Sequence, residues 1–191
     1  MEKIHQFDPV HDAQRGYRKL LKALSNPGTE VDLKEELSKL CGEDRAFLVL
    51  ALILLDNETT FCAFQNSTLR DAIIYLTLSY ETDASRGDFL FVKDKKDLKK
   101  AVEHAKCGTP EDPQKAATVV VEIPEERDSC LKLSGPGIPG KRELCTAQIV
   151  FDALEERDAL GCEYPEGLDF FFITSEGRFF AVPRLVKKEA I

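Results

Sequence analysis

The chain has 191 residues, 43% of them hydrophobic and 31% charged, which suits one soluble domain with a sizeable core and is short for two. Lysine and arginine number 26 against 34 aspartates and glutamates, giving a formal net charge of −8. That balance argues against non-specific binding to nucleic acid or an anionic membrane. The longest apolar run, 46–55, is shorter than the ~20 residues a bilayer crossing needs. Residues 1–9 carry no apolar signal region, so a cytoplasmic protein is expected.

The first predicted element is a helix over DAQRGYRKLLKALSNPG, residues 12–28, with Asp12 as cap and Asn26-Pro27-Gly28 as stop. Helical spacing groups Tyr17, Leu20, Leu21 and Leu24 on a core-facing side and Arg15, Arg18, Lys19 and Lys22 on the other. The cationic side is either a solvated face or a surface kept for a partner. A short extended piece is expected at 30–33, then a buried helix at 45–55 and a strand at 59–63. Ser67 is expected to cap a helix over 69–80, with Leu69, Ile73, Leu76 and Tyr80 inward. A buried strand at 89–92 leads to an exposed helix at 95–105, capped by Asp94. After a Gly/Pro-rich loop come strands at 118–123 and 131–133 and the loop SGPGIPGKR, 134–142. A helix is expected over 143–158, stopped by Gly161. A hairpin over 168–174 and 178–182, turning at Ser175-Glu176-Gly177, closes the pattern. Alternating strands and helices with a terminal hairpin predict one α/β domain with a mixed sheet.

The segment Gly135–Arg142 approaches the phosphate-loop pattern GxxxxGK[ST]. Arg142 stands where a hydroxyl must meet Mg²⁺, and Pro136 and Pro139 each remove an N–H that would face phosphate. A looser anion site remains, made by Gly135, Gly137, Lys141 and Arg142 at a helix N-terminus. Arg184 follows a strand end, where ligands of α/β sheets sit, and Asp169 is its expected ion-pair partner. His104 and Cys107 share a helical spacing without a third orienting group, and Lys93 after a strand leaves a Schiff-base role open. The six cysteines lack clustered spacing, so reduced thiols and no metal centre are expected.

Four blocks, DAQRGYRKLLKALSNPG (12–28), LLDNETTF (54–61), LSGPGI (133–138) and PEGLDFFFITSEGRFFAVPR (165–184), resemble the PhnH family. That family is a subunit of the bacterial carbon–phosphorus lyase system for phosphonate catabolism. The resemblance implies a three-layer α/β/α fold similar to the core of pyridoxal-phosphate-dependent transferases, without that cofactor. It further implies a homodimer that joins PhnG-, PhnI- and PhnJ-like subunits. With PhnL, that system transfers the ribose triphosphate of ATP to an alkylphosphonate, displacing adenine. No catalytic residue carries over, and the radical chemistry belongs to a partner, because this chain has no cluster-binding cysteine motif. Two roles follow: shaping a polyphosphate site, or assembling the complex by docking the 15/18/19/22 face on an acidic surface.

Overall fold

The computed structural model describes residues 5–190. In chain order the elements are α1 (His11–Ser25), β1 (Val31–Asp32), α2 (Lys34–Ser38), α3 (Arg45–Leu54), β2 (Thr60–Ala63), α4 (Ser67–Thr77), β3 (Tyr80–Glu81) and β4 (Phe89–Val92). They continue with α5 (Lys95–His104), β5 (Thr118–Ile123), β6 (Ser129–Ser134), β7 (Arg142–Thr146), α6 (Gln148–Ala159), β8 (Asp169–Thr174), β9 (Arg178–Val182) and β10 (Lys187–Ala190).

A seven-stranded sheet has the order β1-β9-β8-β5-β4-β2-β3. β8, β5, β4, β2 and β3 run parallel; β9 joins β8 antiparallel and β1 joins β9 antiparallel, so the sheet is mixed. The period-2 geometry of strands sends successive side chains to opposite faces, and each face has its own apolar cluster. Phe171, Ile173, Phe179, Ala181, Val120, Phe91 and Phe61 meet α1 through Leu20 and Ala23, and α4 through Leu69 and Ile73. The intervening Phe170, Phe172, Phe180, Val182, Val119, Val121 and Leu90 meet α5 through Leu98 and Val102, and α6 through Val150 and Leu154. Aromatic pairs lock the β8–β9 hairpin on both faces: Phe171–Phe179 edge-on with centroids 5.3 Å apart, and Phe172–Phe180 stacked at 5.1 Å. The second face also carries a three-stranded antiparallel sheet, β10-β6-β7, which contributes Leu131, Leu133 and Leu144.

Several expectations need correction. Residues 142–146 form β7, paired in register with β6, and the helix begins only at Gln148, whose N–H is capped by Asp128 at 2.8 Å. The 134–142 loop is therefore a hairpin connection with no helix behind it, and the anion site loses the helix dipole assigned to it. α4 stops at Leu78, which adopts a left-handed conformation (φ 60°), and Tyr80 lies exposed on the edge strand β3. The α4 cap is Asn66, whose side chain accepts from the Leu69 N–H at 2.9 Å, rather than Ser67. Not all cysteines are reduced: Cys130 and Cys145, directly opposed in the β6–β7 ladder, form a disulfide.

α1 is also oriented differently. Its buried residues are Asp12, Gly16, Leu20 and Ala23, whereas Tyr17 and Leu21 are 47% and 46% exposed. The reason is close approach: a Cβ on Gly16 would lie 2.4 Å from Ile53 Cδ1 of α3. Small residues let the helix sit down on its neighbours, and this turns the larger side chains outward. Asp8, not Asp12, caps α1, accepting from the Val10 and His11 N–H groups at 2.8 Å each. Asp12 reciprocates by accepting from the Asp8 N–H. Among the described residues no helix is long and apolar enough to cross a membrane.

Candidate functional site

Parts of three sequence blocks, two of them more than a hundred residues from the first, converge at the C-terminal end of α1. The glycines of the 134–142 loop are used for this packing. Gly137 (φ +81°) leaves no room for a side chain, since a Cβ would lie 2.6 Å from the Ser25 carbonyl oxygen and 2.8 Å from Pro27. Gly135 (φ +137°) is pressed similarly against the Leu185 carbonyl oxygen. Gly28 donates its N–H to Ala181 O at 3.0 Å, tying α1 to β9.

The cations assigned to anion binding are engaged inside this knot. Arg142 directs its Nη1 at Asn26 O (3.0 Å), Pro27 O (2.7 Å) and Thr29 Oγ1, closing the chain after α1. Lys141 pairs with Glu189 of β10. Arg184 forms the expected pair with Asp169, a fork–fork contact reinforced by its own backbone N–H at 2.8 Å, and donates also to Pro113 O. Gly135, Gly137, Lys141 and Arg142 are thus brought together, with Arg184 on the neighbouring strand end, but as a packing and hydrogen-bonding unit.

The α1 cations divide in two. Arg15 contacts Asp12 and Glu35, and Lys19 donates to both oxygens of the fully buried Glu36 at 2.8 Å. These two belong to the seam between α1 and α2. Burial acts to raise the Asp12 pKa, but the Lys39 hydrogen bond, the Asp8 N–H and the Lys39 and Arg15 charges outweigh it and hold the carboxyl below the usual aspartate range. Arg18 and Lys22 are exposed beside Tyr17 and Leu21 and form no ion pair within the described residues. Val10, Gln14, Tyr17 and Leu21 form a continuous outer stripe at helical spacing, flanked by those two cations.

A second cluster, missed from the sequence, lies at the carboxyl ends of the parallel strands. β2 connects outward to β3 through α4, while β4 connects the opposite way to β5 through α5. The reversal falls between β2 and β4, the position where open α/β sheets place ligands. Here charged and amide side chains pair with one another, although the buried Glu122 Oε2 has no hydrogen-bond partner among the described residues. A cavity of about 370 Å³ lies alongside, lined in part by Gln65, Asn66 and Arg70. Lys93 lies 3.1 Å from Asp44 Oδ1 and 3.5 Å from Glu122 Oε2, Asn66 donates to Asp44 at 3.0 Å, and Gln65 donates to Asp97 at 3.0 Å. Burial pushes the Glu122 carboxyl up against the pull of Lys93. Burial would lower the Lys93 ammonium, yet the Asp44 and Glu122 contacts hold it above its ordinary value. Two carboxylates beside the Lys93 ammonium favour its charged form over the neutral amine that Schiff-base chemistry uses. The signal is topological rather than local: four segments between Asp44 and Glu122 contribute to the network.

His104 and Cys107 have different hydrogen-bond partners. His104 contacts Lys100 O through Nδ1 at 2.8 Å, while the Cys107 sulfur faces Cys162. A cleft of about 530 Å³ lies beside this cysteine pair, lined in part by Arg157, Cys162, Tyr164, Glu166 and Arg184. Arg157 is buried there and donates to Pro183 O (3.3 Å) and Val186 O (2.7 Å).

No curated protein matches the chain. The family model for PhnH, bacterial phosphonate metabolism protein, matches residues 5–189, nearly the whole length. The α1 terminus, the SGPGI loop and the VPR strand end that suggested the family are the segments packed into one knot, and the chain belongs to the PhnH family of bacterial phosphonate metabolism proteins.

Proposed function

We propose that this protein is a single-domain assembly subunit of the carbon–phosphorus lyase core complex. In this reading it lies in the cytoplasm, joins PhnG-, PhnI- and PhnJ-like subunits and performs no chemistry of its own. One observation carries the reading. The arginines and the loop lysine suited to phosphate are paired within the chain, whereas α1 presents Tyr17 and Leu21 to solvent beside Arg18 and Lys22, which have no ion pair among the described residues. Exposed tyrosine and arginine next to aliphatic surface are the residue types that anchor protein interfaces. The two cations select an acidic partner surface. A three-layer arrangement like the pyridoxal-phosphate transferase core, without the cofactor, and homodimerisation in isolation belong to the same proposal. The complex would transfer ribose triphosphate from ATP to an alkylphosphonate, with this chain supporting the subunits that bind the nucleotide.

The test is adenine release by the reconstituted subunits. Arg18→Glu/Lys22→Glu should lose incorporation and activity together, while Lys141→Ala should retain both. The alternative, direct polyphosphate binding by this chain, predicts that Lys141→Ala assembles fully yet releases adenine far more slowly.

A further inference from the structure

Cys107 follows α5 and Cys162 follows α6, so 55 residues separate them in sequence, yet their sulfurs lie 2.9 Å apart. A disulfide requires about 2.05 Å, so the two sulfurs need move only a little closer to bond. The backbone is already joined at this point, because the Gly167 N–H donates to Cys107 O at 2.9 Å. Cys162 is exposed and Cys107 partly buried, so one thiol is open to a reagent while the other waits behind it. We propose that Cys107 and Cys162 are a redox-active thiol pair that closes into a second disulfide when a small disulfide oxidant, such as glutathione disulfide, reaches Cys162.

In the first step the Cys162 thiolate attacks one sulfur of the oxidant, and the oxidant's S–S bond breaks to release one thiol. In the second, the Cys107 thiolate attacks the Cys162 sulfur of the mixed disulfide and releases the other thiol. The two cysteines together lose two protons and two electrons, and the oxidant is reduced to two thiols. Burial, Cys162 and the Glu166 carboxylate push the Cys107 thiol up to about 12, against the opposing Arg184 charge. This favours Cys162 for the first attack. Its conversion to the mixed disulfide removes the Cys162 hydrogen bond and charge that hold the Cys107 proton. The thiolate released in the first step accepts that proton before Cys107 attacks. Closure would pin the loop carrying Tyr164 and Glu166, which forms one wall of the 530 Å³ cleft, to the segment after α5. The pair is independent of the Cys130–Cys145 bridge, which lies in the β6–β7 ladder.

Full-length protein is incubated with graded ratios of oxidised to reduced glutathione, alkylated, and mapped by mass spectrometry without reduction. The expected result is a linked peptide pair containing Cys107 and Cys162, lighter by two hydrogen atoms. Free thiols should fall from four to two. Cys162→Ser should keep Cys107 free, and Cys107→Ser should accumulate a glutathione adduct on Cys162. Thermal melting gives a second readout, with oxidation raising the Tm of the wild type but not of Cys162→Ser. A wild type that retains a glutathione adduct on Cys162 beside free Cys107, or that links either residue to Cys41 or Cys62 instead, overturns the proposal.

Discussion

Gly137→Ala separates a packing loop from a phosphate cradle. The left-handed backbone at Gly137 costs a side-chain-bearing residue about 1–2 kcal/mol. A new Cβ would also meet the Ser25 carbonyl oxygen at 2.6 Å, and that atom is backbone and cannot rotate away. Displacing the end of α1 adds roughly 1–3 kcal/mol, the usual range for overpacking. Gly140 supplies the control: it has a similar φ of +75°, but a Cβ added there would have no neighbour within 4 Å, so Gly140→Ala carries the conformational cost alone. In urea, at an m-value of roughly 3 kcal/mol/M, the Gly137→Ala midpoint should fall by about 1 M and the Gly140→Ala midpoint by about 0.5 M. Equal midpoints for the two variants under the same thiol conditions would refute the packing argument and return the loop to ligand-binding candidates.

Arg142→Ala removes the donor shared by three acceptors in the segment after α1 and should cost roughly 2–3 kcal/mol by urea denaturation, whereas Lys141→Ala should be silent in the same assay. Asp12 has a folded pKa below its unfolded value of about 3.9, so its stabilisation is present above that value and lost as pH falls through the folded pKa. Asp12→Asn should therefore be less stable than wild type at neutral pH, with the difference shrinking in acid; a gap constant with pH contradicts the assigned network. The Cys130–Cys145 bridge closes a sequence separation of 15 residues, so reduction should cost about 3 kcal/mol in equilibrium unfolding. Cys130→Ser/Cys145→Ser should abolish this part of the reductant sensitivity.

Long, strongly patterned segments are legible in the sequence. The β8–β9 hairpin follows directly from FFFIT, SEG and RFFAV, and α3 from an apolar run too long for a strand. The inward face of α1 is misplaced when side-chain size is the guide to burial. Gly16 and Ala23, spaced with Leu20 at helical intervals, mark a close-packed stripe that favours small residues over Tyr17. β7 resembles a helix because Leu144 fits either period, although Leu144 and Thr146 alternate with the less buried Glu143 and Cys145 as a strand requires. β10 is rich in charge, as suits an edge strand, and its pairing with β6 depends on residues some fifty positions earlier. The internal partners of the candidate cations are hidden for a related reason. A sequence shows Arg142, Lys141 and Arg184 as charges but conceals the carbonyls and carboxylates that the fold delivers to them. Only Asp169, in the adjacent strand, is near enough in the hairpin pattern to be assigned to Arg184 from the sequence.

The role of the outer face of α1 is tested most directly by calorimetric titration of purified PhnG-, PhnI- and PhnJ-like subunits with this protein and its Tyr17→Ser/Leu21→Ser variant. Both side chains are half exposed, so the variant should fold like wild type, with an unchanged circular dichroism spectrum. The account predicts that it binds at least about tenfold more weakly, the loss expected when an anchor residue worth more than about 1.4 kcal/mol is removed. Unchanged affinity for a normally folded variant would contradict docking through this helix.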